Sequence, residues 1–263
     1  MMTLPWNYLA LLSIGYGLAL SYGHLGWLAG ISVALLLTAG FAVRQQQVRI
    51  GHYLGHGLFI FMALALALHW LPGFYNGRGI NPQRFTDDAV TFAMYLNLDK
   101  PLIGFWLLLV CPWIVGRRSL RLGVYASALA LSLSAVLALG GALLLGVISW
   151  APKWPDQAWL WLLNNLLLVT LVEEALFRGY IQGGLTRCFK NLPYGENLAL
   201  LLASLLFGLA HVGAGWQWVL LASLAGVSYG LAYRFGGLGA AIATHFGLNL
   251  LHFGLFTYPM LAS

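Results

Sequence analysis

Long apolar runs separated by short polar loops dominate this chain and constrain its fold. A membrane-spanning helix needs about 17–25 mostly apolar residues. On that rule the sequence contains nine candidate spans, at residues 5–22, 24–43, 52–71, 101–115, 122–149, 158–184, 198–214, 216–235 and 237–257. Charged residues make up 8% of the chain, against about 25% in soluble domains. The sequence therefore predicts an all-α, polytopic transmembrane bundle of eight or nine spans.

The basic residues of the loops predict an orientation for this bundle. Each clear basic cluster follows an even-numbered span, so all clusters lie on one side of the predicted bundle. The clusters are Arg44 with Arg49, Arg117 with Arg118 and Arg121, Arg187 with Lys190, and Arg234 alone. Basic loops mark the cytoplasmic side. We therefore expect an integral, multi-pass protein of the cell (inner) membrane with a cytoplasmic N-terminus.

The net charge of +6 does not indicate a nucleic-acid partner. The basic residues lie in short loops between apolar spans and form no continuous patch, so we expect them to set topology rather than bind nucleic acid. The partner expected for such a chain is the lipid bilayer.

One connection, residues 72–100, is longer than the others. By the orientation above it is extracytoplasmic, and Asp87 and Asp88 predict the start of a short surface helix, because a helix N-terminus favours negative charge. Phe92 and Tyr95 would lay that helix on the bilayer. We predict one integrated membrane domain, in which residues 1–157 form N-terminal helices and residues 158–263 form a C-terminal core.

Glu173 and Glu174 stand side by side inside the apolar run of the sixth span. Asp and Glu together number 7 in the chain, and an ionisable group within a membrane segment marks a functional site by default. Arg178 follows Glu174 by four residues, so these two side chains share a helix face and can pair. Glu173 points about 100° away. We predict that Glu174 is neutralised by Arg178 and that Glu173 faces another group.

Two further spans carry polar residues at helical spacing. The segment FGLAH places Phe207 and His211 on one face, and the segment HFGLN places His245 and Asn249 on one face. At about 1.5 Å of rise per residue, Glu173, His211 and Asn249 each lie roughly 20 Å from the nearest basic loop. These three groups at one depth, with His245 one turn from Asn249, predict a site within the membrane.

These groups match the chemistry of carbonyl hydrolysis. A carboxylate in a low-dielectric pocket can act as general base for water, and a neighbouring histidine can hold that water. A second histidine and an asparagine can donate to a developing oxyanion. The sequence contains no HExxH motif. Glu173, His211 and His245 could instead ligate zinc. We favour a mechanism without a cofactor, because an asparagine is a better donor than metal ligand.

The succession EExxxR, FxxxH and HxxxN on successive apolar helices resembles the CAAX prenyl protease and bacteriocin-processing family of intramembrane proteases. The resemblance covers residues 171–252. It implies a bundle with a cavity open to the membrane, in which Glu173 activates water, His211 positions it, and His245 with Asn249 forms the oxyanion hole. Glu174 and Arg178 would orient these groups. The implied activity is that of a glutamate-dependent endopeptidase that cleaves near the C-terminus of a membrane-anchored or lipidated protein.

Two other functions remain open at the level of sequence. Glu173 and the histidines could form a proton relay in a transporter, although no inverted repeat is visible. A catalytically silent immunity or binding protein on the same fold is the other alternative. Among the remaining polar residues, we expect His252 to be structural and Asn164 and Asn165 to join helices by hydrogen bonds.

Overall fold

The computed structural model describes residues 6–44, 49–116 and 118–262. In these ranges the chain forms nine helices and one two-stranded sheet. The helices are α1 (Trp6–Ser21), α2 (Ala29–Arg44), α3 (Arg49–Ala67), α4 (Lys100–Val110), α5 (Leu120–Leu144), α6 (Ala158–Cys188), α7 (Gly195–Leu209), α8 (Trp216–Gly236) and α9 (Leu238–Leu255). The strands are β1 (Gly77–Gln83) and β2 (Phe92–Leu96).

Each of the nine predicted spans overlaps one of these helices, so the helical membrane bundle is confirmed. Five helices, α3, α5, α6, α8 and α9, are long and apolar enough to cross a membrane. The apolar helices α2, α4 and α7 and the segment Leu12–Ser21 of α1 are shorter. The number of helices that cross the bilayer stays a prediction.

The described residues divide into two compact units. The first unit comprises the described residues up to 78 together with residues 95–112, and it contains α1 to α4. In its core the Phe59 and Trp106 rings stack at 3.8 Å. The Trp106 indole donates to the carbonyl oxygen of Leu36 at 2.8 Å, which gives the buried N–H its partner. The second unit contains residues 79–94 and 113–262, and it holds every predicted site residue.

Small residues let the helices of the second unit approach closely. A Cβ atom on Gly208 in α7 would lie 1.9 Å from the Ser223 hydroxyl and 2.5 Å from the Val219 carbonyl oxygen of α8. Because lipid tails are as apolar as the helix surfaces, the hydrophobic effect does not bring membrane helices together. Close backbone packing of this kind is therefore a main source of helix association. Gly237 separates α8 from α9 with a φ of 81°, a conformation that glycine adopts without strain.

The predicted surface helix in residues 72–100 is wrong, because this region forms the hairpin of β1 and β2. Its tip, residues 84–91, is bound by the C-terminal tail: the amide of Val90 donates to Met260 at 3.0 Å, and that of Ala262 donates to Asp88 at 2.8 Å. The Phe92 ring packs edge-on against Tyr258 at 5.1 Å. These partners lie about 170 residues away along the chain, and local sequence patterns do not reveal them.

The Asp88 side chain clamps the hairpin tip to the tail. Its carboxylate accepts hydrogen bonds from the hydroxyls of Ser149 at 2.9 Å and Thr257 at 3.1 Å. The neighbouring Thr86 hydroxyl, followed by that of Ser149, lowers the pKa of Asp88 below its usual value. Burial lowers the pKa of Lys153 to about 8, while the charge of Asp88 opposes that shift. The Lys153 ammonium donates to the carbonyl oxygen of Phe256.

We expect Asp88→Asn to loosen the tail and to remove one pH dependence. The lowered pKa of Asp88 means that its contribution to stability is present above about pH 4 and is lost as the pH falls below that value. The melting temperature of the variant should therefore lie below that of the parent at pH 7, and the difference should shrink toward pH 3. Asp87→Asn, at the adjacent exposed position, is the matched control. A difference independent of pH would contradict this assignment.

Candidate active site

The helix α6 carries the glutamate pair between two segments of wider, π-helical winding. These segments are Asn165–Thr170 and Ala175–Gln182, and they flank Leu171–Glu174. In an α-helix, side chains five residues apart point about 140° away from each other. Here the Thr170 hydroxyl nevertheless donates to Asn165 Oδ1 at 3.2 Å. The π-helical winding thus changes which side chains share a face, and such turns are frequent at functional sites.

Glu174 is the centre of a fully buried polar network. Its side chain and that of Arg178 are both 0% exposed, and Arg178 Nε lies 3.3 Å from Glu174 Oε2. The predicted pairing of these two residues is therefore present. The other carboxylate oxygen, Oε1, lies 2.9 Å from Nδ1 of His245 on α9. Because an ionised carboxylate can accept hydrogen bonds but cannot donate them, we assign the proton to His245 Nδ1. Glu174 thus joins two helices.

Aromatic rings surround this network and hold its cationic partners. The Arg178 guanidinium lies 5.3 Å from the Phe207 ring centroid and 5.9 Å from that of Tyr229, within cation–π range. The His245 imidazole stacks on Tyr229 at 4.5 Å and meets Phe207 edge-on at 5.5 Å. Phe207 and Tyr229 are each 2% exposed. The position of His245 is therefore fixed on one side by Glu174 and on the others by rings.

A cavity of about 80 Å³ lies next to this network. It is lined by His211, His245 and Asn249, three of the four predicted catalytic residues, together with His252 and Trp218. The remaining lining is mostly apolar, from α5, α7, α8 and α9. A cavity of this size with several polar groups can hold a few water molecules. A peptide would need side chains to move, or would reach the polar groups from outside.

His211 follows the last turn of α7 and presents one nitrogen for bonding. Its Nδ1 lies 2.9 Å from the Phe207 carbonyl oxygen, and its ring lies 4.9 Å from the Phe207 ring. The predicted shared face of these two residues is observed. Because a carbonyl oxygen only accepts, Nδ1 carries the proton, and Nε2 of the neutral ring is the nitrogen that can accept a hydrogen bond from water.

Asn249 is held by a residue of α6. Its Nδ2 donates to Asn165 Oδ1 at 3.2 Å, the same oxygen that accepts from Thr170. An asparagine amide has two N–H groups, so one donor of Asn249 remains for another partner. The predicted role of Asn165 in joining helices is observed. His252, predicted to be structural, donates through Nε2 to the Thr257 carbonyl oxygen at 3.2 Å and also lines the cavity.

Glu173 occupies a different environment from Glu174. It is partly exposed, and within the described residues its carboxylate makes no hydrogen bond to another protein group. It does not line the 80 Å³ cavity, although it directly precedes the buried Glu174 on α6. The structure thus places Glu173 close to the network but does not bring it into contact with His211.

The alternative zinc set, Glu173, His211 and His245, is not assembled in this structure. Across the parts of the chain that the structure describes, no three His, Cys, Asp or Glu side chains are grouped for a metal ion. His245 Nδ1 is bonded to Glu174 and His211 Nδ1 to a carbonyl oxygen, which leaves Nε2 of each ring free, as in metal-binding histidines. The three side chains are nevertheless not grouped around one position in the described residues.

Sequence reasoning missed two contributors to this site. Tyr229 stacks on His245, but an aromatic residue in an apolar span gives no distinguishing signal. Trp218 lines the cavity and donates from its indole to the Met260 sulfur at 3.4 Å. Its position in the first turn of α8 is typical of interfacial tryptophan. From the sequence alone, neither residue can be distinguished from aromatic residues that only pack in the core or lie at the membrane interface.

The family model for type II CAAX prenyl endopeptidase Rce1-like proteins matches residues 155–251. No curated protein and no solved structure matches the chain. The matched range includes the glutamate pair with Arg178, His211, His245 and Asn249. The family is one of proteases. The match and the five long apolar helices both support a membrane protein. Residues 155–251 are thus similar to the type II CAAX prenyl endopeptidase Rce1-like family.

Proposed function

We propose that this protein is an intramembrane endopeptidase that hydrolyses a peptide bond near the C-terminus of a membrane-anchored or lipidated protein, using water activated by a glutamate. One observation carries the proposal. His211, His245 and Asn249 line a single cavity, and the buried Glu174–Arg178 pair holds His245 in place. These three residues fall in the range that matches a protease family, as does most of the cavity lining.

Glu173 is the general base in this proposal. Of the two adjacent carboxylates, Glu174 is fully buried and uses both oxygens on Arg178 and His245. Glu173 is partly exposed and has no protein partner within the described residues, so it can reach a water molecule. It takes a proton from that water as the oxygen attacks the scissile carbonyl carbon. It then returns the proton to the leaving amine when the carbon–nitrogen bond breaks.

His211 positions the attacking water, and His245 with Asn249 stabilises the oxyanion. The Nε2 atom of neutral His211 accepts a hydrogen bond from the water, because Nδ1 is bonded to Phe207. The second N–H of Asn249 donates to the oxyanion. With Nδ1 of His245 bonded to Glu174, Nε2 is the nitrogen available on the cavity side, and in the protonated ring it donates to the same oxygen. No step passes through a metal ion.

We expect Glu173→Gln to fold like the parent and to lose cleavage by roughly 10²–10⁴-fold, because general-base catalysis contributes about that factor. The measurement is cleavage of a membrane-anchored peptide by the purified chain in liposomes, with melting temperature as the check on folding. Asp156→Asn is the matched control, since it makes the same carboxylate-to-amide change at an exposed position just before α6.

Two outcomes of this assay would contradict the mechanism. Normal cleavage by Glu173→Gln would show that Glu173 is not the general base. A parent chain that cleaves no membrane-anchored peptide, but carries protons across the liposome membrane, would favour a transporter. A chelator should leave the parent's activity unchanged. Activity that a chelator abolishes and zinc restores would replace the glutamate mechanism by a metal mechanism.

We propose that the basic loops face the cytoplasm and that the protein lies in the cell (inner) membrane with its N-terminus inside. The support is the distribution of basic residues, which follows the positive-inside rule. Cys188 offers a direct probe, because it is exposed and lies between Arg187 and Lys190, whereas Cys111 is buried.

In intact cells, a membrane-impermeant maleimide should leave Cys188 unlabelled, and permeabilisation should make it react. The Cys188→Ser variant is the control for labelling at other positions. Labelling of Cys188 in intact cells would reverse the proposed orientation.

A further inference from the structure

A second and larger cavity, of about 450 Å³, lies in the same unit. Its size is within the range of ligand pockets, about 300–1,000 Å³. It lies where α5 and α9 begin and where α6 and α8 end. If these helices span the bilayer, the cavity is at the level of the lipid head groups.

Positive charge dominates the lining of this cavity. Arg118, Arg187 and Arg234 line it with a single carboxylate, Glu196. Arg234 pairs with Glu196 at 2.7 Å. Within the described residues, neither Arg118 nor Arg187 forms an ion pair with a carboxylate: Arg118 makes a 3.5 Å contact to the Arg234 carbonyl oxygen, and Arg187 lies 5.1 Å over the Trp113 ring. Two positive charges therefore remain uncompensated at one cavity.

A buried acceptor and two aromatic residues complete the cavity. Gln182 lines it and is 3% exposed. Its Nε2 donates to the Gly230 carbonyl oxygen at 3.1 Å, whereas its Oε1 is buried without a hydrogen-bond partner in the described part of the chain. Such an oxygen accepts from a hydroxyl group. Trp113 and Tyr233 also line the cavity, and these residue types are enriched at the membrane–water boundary.

We propose that this cavity binds the phosphate group of an anionic phospholipid whose head group carries hydroxyls. Guanidinium groups recognise phosphate by paired, charge-assisted hydrogen bonds. Basic pockets between membrane helices bind anionic head groups in this way. The site stands apart from the peptidase chemistry, since none of its lining residues lines the first cavity.

The test is the thermal unfolding of the intact chain in detergent with added lipid. A ligand that binds the folded state raises the melting temperature in proportion to its occupancy. Phosphatidylglycerol should stabilise the parent chain, and phosphatidylcholine, whose phosphate is neutralised by its own ammonium, should stabilise it far less. Inorganic phosphate is the third arm. Stabilisation by inorganic phosphate alone, dependent on the same arginines, would support the site and identify free phosphate as its ligand.

The variant Arg118→Gln/Arg187→Gln should bind phosphatidylglycerol about 30-fold more weakly, since each basic residue near an anionic surface contributes a factor of about five. Arg49→Gln/Arg121→Gln is the matched control, because it removes two basic-loop charges that line neither this cavity nor the one adjoining it. Thr186→Phe, which fills the cavity and keeps every charge, should also abolish the stabilisation. Equal loss in the matched control, or equal stabilisation by phosphatidylcholine, would overturn the proposal.

Discussion

The interaction on which the rest of the site depends is the buried bonding of Glu174 to both Arg178 and His245. Removing an ionised carboxylate from water is expensive unless its hydrogen bonds are satisfied. Here each oxygen has a partner, one within α6 and one on α9, at 3.3 and 2.9 Å. Because a lone charge at this position would be unfavourable, the pair fixes the register of α9 against α6. His245 and Asn249, one turn apart on α9, are thereby placed at the cavity.

The neighbouring helices are adapted to this buried network. A Cβ atom on Gly226 of α8 would lie 3.3 Å from Arg178 Nη2 and 3.2 Å from Ser204, so the glycine leaves room for the guanidinium. Ser204 receives a long contact, 3.5 Å, from Arg178 Nη1, and Phe207 and Tyr229 cover the remaining faces. A polar centre with an aromatic shell and small residues on α8 allows a charged group to persist in an otherwise apolar bundle.

The sequence predicted the helices and the pairs that depend on helical spacing, because both follow from periodicity. Glu174 with Arg178 and Phe207 with His211 are four residues apart, and both pairs are in contact. The bond between Asn165 and Asn249 joins residues 84 positions apart on two helices. Asn165 begins a π-helical segment that no local pattern indicates. The hairpin was missed for the same reason, since the tail that stabilises it is distant in sequence. The sequence also did not predict that Glu173 lies outside the lining of the small cavity.

The central claim is that the Glu174–Arg178 pair serves catalysis by positioning His245 and is not needed for folding as such. The direct measurement compares melting temperature and peptide cleavage for Glu174→Leu, Arg178→Met and the double variant. Each single change leaves a buried partner uncompensated and should destabilise the chain by about 3–5 kcal/mol, whereas the apolar double replacement should recover most of that stability. We expect the double variant to fold and yet to cleave at least about 100-fold more slowly. Cleavage at the parent rate by a stably folded double variant would contradict the account.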